Sequence, residues 1–96
     1  MIIVAGTLTA EPARREQYLA GCIDVVKQAR RAHGCLDFSI TADLIETDRV
    51  HVYERGETPQ AVDSFRGEGE SDAATDMIVA ASVWQYEVGH AQNLTG

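Results

Sequence analysis

Gly34-Cys35-Leu36-Asp37-Phe38-Ser39-Ile40, followed at hairpin distance by Arg49-Val50-His51-Val52-Tyr53-Glu54-Arg55, decides the fold. In the first run Leu36, Phe38 and Ile40 alternate with Asp37, Ser39 and Thr41, the period of a strand with one dry and one polar face. In the second, Val50, Val52 and Glu54 alternate with His51, Tyr53 and Arg55. Residues 43–48 supply the turn between them. A hairpin centred near Ile45 sets Ser39 opposite His51, Asp37 opposite Tyr53 and Cys35 opposite Arg55.

Upstream, Pro12 suits the first turn of a helix, where its missing N–H costs nothing. Leu19, Cys22, Ile23, Val26 and Ala29 then form an apolar stripe, with Arg14, Gln17, Asp24, Lys27, Gln28 and Arg31 around the rest. Arg30, Arg31 and His33 complement the helix dipole, and Gly34 provides a left-handed exit. Residues 2–9 read as a strand apolar on both faces. Downstream, Thr58 caps a short helix over 59–65 with Pro59 at its first position. Gly67-Glu68-Gly69-Glu70 breaks it as a flexible flap, a helical turn follows at 71–76, and 78–88 forms the last strand. That strand carries Trp84, Tyr86 and Val88 on one side. The order β-α-β-β-α-β is a split βαβ, α+β and ferredoxin-like, with a four-stranded antiparallel sheet and both helices on one face. A single domain is expected over 1–96, its core at 2–88 and a polar tail at 89–96.

Ninety-six residues hide a limited share of their surface, so oligomerisation is a natural way to finish the core. Two helices cover only one sheet face, yet the first strand is apolar on both sides, and His51 and Tyr53 accompany Arg55 on the second face of the third. A half-apolar second face asks for a partner sheet, so a homodimer is expected. Eight basic against fifteen acidic residues leave a net charge of −7, which repels nucleic acid and anionic membranes. The apolar start Ile2-Ile3-Val4-Ala5-Gly6 is too short for an export signal, and no run approaches the ~20 residues of a membrane span. A cytoplasmic location and reduced Cys22 and Cys35 are therefore expected.

His51 is a candidate general base, held by Asp37 or Ser39 across the hairpin, although the same groups also make a polar interface cluster. Glu54 shares the row of Val50 and Val52 and so points toward the helices, where a carboxylate either takes a proton or braces a helix. Phe38, Phe65, Trp84 and Tyr86 are aromatic enough to wall a flat pocket between sheet and helices. Core is the default for Phe38, Trp84 and Tyr86, and Phe65 is the best pocket lining. His33, Cys35, His51 and His90 lack the short paired spacings of metal sites, and Gly67-Glu68-Gly69 is no phosphate loop. Neither cysteine has a neighbouring base by spacing, which disfavours a thiol enzyme.

Ala32-His33-Gly34-Cys35, Leu36-Asp37-Phe38, Tyr53-Glu54-Arg55-Gly56 and Ala61-Val62-Asp63-Ser64-Phe65 together resemble the antibiotic biosynthesis monooxygenase family. That family commonly shows a helix ending in Glu-x-Gly-Cys, a Leu-x-Tyr strand, Tyr-Glu-x-Trp, and a helix with Ala-Leu and a histidine. Gly56 stands where its tryptophan is usual, and Phe65 where histidine or tryptophan often stands. Haem-degrading members need an asparagine on the first strand and a histidine after the second helix. Here Ala5 or Thr7 occupies the first place, and no histidine lies between His51 and His90. The resemblance implies a dimeric α/β barrel and a cofactor-independent monooxygenase oxidising a small hydroxy-aromatic or quinol with O2. It implies no haem, flavin or metal. His51 would be the base, Tyr53 and Arg55 would lie near the substrate anion, and Phe65 and Trp84 would be walls. The alternative on the same scaffold is a non-catalytic dimeric ligand-binding or stress-response protein.

Overall fold

The computed structural model describes residues 1–67 and 76–96, with side chains described at 1–64 and 76–96. Strand β1 (Ile2–Ala10) leads through a single 3-10 turn at Pro12–Arg14 into α1 (Arg15–Arg31). Strands β2 (Cys35–Ala42) and β3 (Arg49–Gly56), helix α2 (Pro59–Gly67) and strand β4 (Ile78–Glu87) follow. The strands form one antiparallel sheet in the order β2-β3-β1-β4, the ferredoxin-like arrangement. The flap expected at 67–70 and the turn expected at 71–76 fall outside the described residues, except for Gly67, which ends α2, and Asp76.

Local chemistry sets the corners. Gly34 has φ of 83°, a region that a side chain rarely adopts, and a Cβ there would come within 2.7 Å of Ala61 Cβ. Its carbonyl accepts the amide of Glu57 at 2.8 Å, which ties the α1–β2 corner to the β3–α2 corner. Thr58 Oγ1 accepts the amide of Ala61 at 3.2 Å and caps α2, as its position before Pro59 requires.

The β2–β3 register is two residues from the expected one: Thr41 opposes His51, Ser39 opposes Tyr53, and Asp37 opposes Arg55. The cause is Asp43. Its Oδ2 accepts the amides of Ile45 at 3.0 Å and Glu46 at 2.7 Å, and its own amide donates to the Arg49 carbonyl at 3.1 Å. The turn thus closes on Asp43 and Arg49 rather than around Ile45. A slide of two residues keeps every side chain on its face.

The core divides between the helices. Tyr18 and Cys22 of α1 pack with Val50 and Met77, bordered by Leu8, Leu19, Ile40 and Ile78. Val62 of α2 packs on Ile2 and Val4. Burying a side chain such as Val50 or Val62 contributes roughly 1.5–3 kcal/mol. The expected stripe on α1 is rotated: Tyr18 is fully buried and Ile23 is 55% exposed. Tyr18 takes its place in the cluster with Val50 of β3. Trp84 and Tyr86 are not core either, at 64% and 51% exposed. Pairing with β1 sets Trp84 opposite Ala5 and Tyr86 opposite Ile3, on the face away from Phe38.

Candidate functional site

Alternation along β3 distributes the chemically useful side chains between the two faces of the sheet. On the helix-facing side stand Val50, Val52 and Glu54, in register with Leu8, Gly6 and Val4 of β1. Glu54 also opposes Phe38 of β2. Its neighbours across both ladders are buried, and the carboxylate-bearing residue itself is only 4% exposed. Moving a carboxylate from water into apolar surroundings is costly, so a glutamate in this row is not explained by packing alone.

Cys35 begins β2 beside this region. Burial, and after it the negative charge of Glu54, pushes its thiol above the ordinary value. A thiol held protonated is a poor nucleophile. Cys22 lies buried within the α1 core, and among the described residues neither cysteine is in a disulfide.

The open face carries three polar and aromatic rows. Thr41, His51, Thr7 and Ser82 form one, read across β2, β3, β1 and β4. Ser39, Tyr53, Ala5 and Trp84 form the second, and Asp37, Arg55, Ile3 and Tyr86 the third. Trp84 Nε1 donates to Ser82 Oγ at 3.2 Å. Arg55 Nε is buried and makes no hydrogen bond among the described residues. His51 is bound neither to Asp37 nor to Ser39: its Nε2 lies 2.5 Å from Asp43 Oδ1. The amide of Glu46, then His51, then the amide of Ile45 hold the Asp43 carboxyl well below the usual carboxylate range. Asp43 therefore closes the hairpin and orients the imidazole at once.

The residues expected to share one site thus separate. His51, Tyr53, Arg55 and Trp84 lie together on the open face, and Glu54 lies on the other with Phe38. The expected aromatic pocket joining Phe38 to Trp84 and Tyr86 does not form, because the sheet stands between them. Phe65 belongs to α2, and its side chain lies outside the described residues. Asp43 was not anticipated as the partner of His51. Its place at the mouth of the hairpin, before a turn, was the available signal. Among the described residues no group of three His, Cys, Asp or Glu is arranged to hold a metal ion. No helix among them is long and apolar enough to cross a membrane.

The family described as antibiotic biosynthesis monooxygenase matches residues 1–77 of the sequence. No curated protein matches it. Among solved structures, a candidate antibiotic biosynthesis monooxygenase from Nitrosomonas europaea superposes with a TM-score of 0.83 at 16% identity, covering 94% of this chain and 100% of that one. Another from Deinococcus radiodurans has a TM-score of 0.73 at 22% identity, with both chains fully covered. A third, from Caulobacter crescentus, has a TM-score of 0.77 at 20% identity over 93% of this chain and 90% of that one. At these identities the likeness is one of fold.

Proposed function

This chain belongs to the antibiotic biosynthesis monooxygenase family, and from that premise we propose that it is a homodimeric, cofactor-independent monooxygenase acting on a small hydroxy-aromatic or quinol. The burial of Glu54 on the helix-facing side of β3 carries this reading. A carboxylate held out of water is a stronger proton acceptor than one in solvent, which suits it to a weakly acidic hydroxyl. Glu54 takes the substrate hydroxyl proton, and the resulting anion is itself the reductant for O2. A C–O bond forms at a ring carbon ortho or para to the oxygen. That carbon passes from C–H to C=O, and the second oxygen atom leaves as water. All four electrons come from the substrate, so the balance needs no further reductant. Val4 and Phe38, on either side of Glu54, keep water from the anion.

His51 is assigned to the subunit interface rather than to the chemistry, because it lies on the opposite face and is engaged by Asp43. Tyr53, Arg55 and Trp84 join it there, against the partner's sheet. Exposed Trp84 and Tyr86 beside Ile3 and Ala5 are the apolar surface that supports dimerisation. Oxygen uptake by protein dialysed against a chelator, across a panel of naphthols and quinols, tests the proposal. One O2 consumed per substrate converted, without peroxide release, is expected. A panel with no protein-dependent uptake, or uptake lost on chelation, would refute it.

A further inference from the structure

Between α1 and the edge strand β2 lies a groove of about 240 Å³. Leu19, Cys22, Ile23 and Val26 of α1 and Ile40 of β2 supply its apolar surface, and Lys27 and Arg30 its charge. Among the described residues no carboxylate lines it, in a chain with fifteen acidic and eight basic residues. The two cations stand three residues apart and so share one side of the helix. Arg30 is held in place, its Nε donating to the Phe38 carbonyl at 2.8 Å. Among the described residues neither cation enters an ion pair. The helix dipole accounts for a cation in the last turn, where Arg30 and Arg31 stand, but not for Lys27 above an apolar floor.

We propose that this groove is a binding site for a small amphiphilic monocarboxylate. Its carboxylate lies between Lys27 and Arg30, and its apolar body lies on Leu19, Val26 and Ile40. A planar guanidinium and an adjacent ammonium match a carboxylate, and each gains an anion that the protein itself does not supply. The groove is smaller than the ~300 Å³ at which drug-sized pockets begin, so the body is short. The net charge of −7 opposes ligands carrying several negative charges and favours a monoanion. Neither Glu54 nor a residue of the open-face rows lines the groove, and the proposal does not rest on the oxygenase reading.

The test is titration of the whole protein with octanoate and with phenylacetate, followed by backbone amide NMR shifts, with octanol as the uncharged control. Saturable shifts are expected at residues 19–30 and 38–42, with octanol at least about tenfold weaker. Tighter octanoate assigns the site to fatty acids, and tighter phenylacetate to aromatic acids. Lys27→Gln, an exposed helix position, is expected to weaken the carboxylate about fivefold, the upper value of an exposed ion pair. Arg30→Gln is expected to weaken it further, and added salt to do the same. Octanol binding as well as octanoate, shifts centred elsewhere, or a Lys27→Gln variant of parental melting temperature and unchanged affinity would each overturn the proposal.

Discussion

Gly6→Ala is a sharp test of how β1 and β4 are joined. A Cβ at Gly6 would run into the carbonyl oxygen of Ser82, lie 2.6 Å from Val83 Cα and 2.9 Å from the Ser82 carbonyl carbon. All three are backbone atoms of β4, so no flexible side chain can move aside. The strands must separate at the Gly6–Val83 pair, which weakens the ladder in the middle of its register. Losing two ladder hydrogen bonds costs about 1–3 kcal/mol, and the overpacking adds about 1–3 kcal/mol. Against a total stability of about 5–15 kcal/mol, the melting temperature should fall by at least ~10 °C. The natural comparison is Gly21→Ala on α1, where a Cβ meets nothing within 4 Å. That change replaces glycine in a helix interior and is expected to stabilise by about 0.5–1 kcal/mol. Urea and thermal unfolding of both variants followed by circular dichroism would read the contrast. A Gly6→Ala protein melting within ~3 °C of the parent would refute the close approach of the two backbones.

Trp84→Glu places a charge on the open face and is expected to yield a folded monomer at micromolar concentration, where the parent is expected to sediment as a dimer; an unchanged sedimentation coefficient would count against that interface. Asp43, whose carboxyl is held below its usual range, stabilises the fold fully above the unfolded carboxylate value near ~4, and this stabilisation drains away as the pH falls further. Asp43→Asn should therefore lower the melting temperature at neutral pH and converge with the parent in strong acid; parallel curves would contradict the assignment. Glu54→Gln removes a charge that helps hold the Cys35 thiol protonated, so iodoacetamide should label Cys35 severalfold faster at neutral pH. Equal labelling rates would show that Glu54 is not charged beside it.

The fold was legible where its signals are local. Gly34 needs a positive φ, Thr58 precedes Pro59, and β2 and β3 each alternate cleanly, so the corners, strands and facing of Glu54 followed from neighbouring residues. The hairpin register did not follow, because Asp43 shifts it through side-chain hydrogen bonds that polar–apolar alternation does not encode. Both registers keep the same faces, so pattern alone had no means of choosing. For the same reason Asp37 and Ser39 were paired with His51 in place of Asp43. Trp84 and Tyr86 were misassigned for a different cause. Aromatic size suggests burial, but the facing of β4 depends on long-range pairing with β1, including the register shift between Thr9 and Ala10. Tyr18 was passed over because Leu19, Ile23 and Val26 also made an apolar stripe, and only packing against Val50 selects between them.

The most direct test of the central claim compares Glu54→Gln with His51→Gln, one from each face of the sheet. With a substrate taken from the naphthol and quinol panel, oxygen consumption is measured per folded dimer, together with melting temperature. Glu54→Gln is expected to lose about 10²–10⁴ in turnover, the usual contribution of a positioned general base, while remaining folded. His51→Gln is expected to weaken the dimer and lower the melting temperature, yet keep turnover per folded dimer. Full activity in Glu54→Gln, or loss of turnover in a stable dimeric His51→Gln, would contradict the account and move the chemistry to the open face.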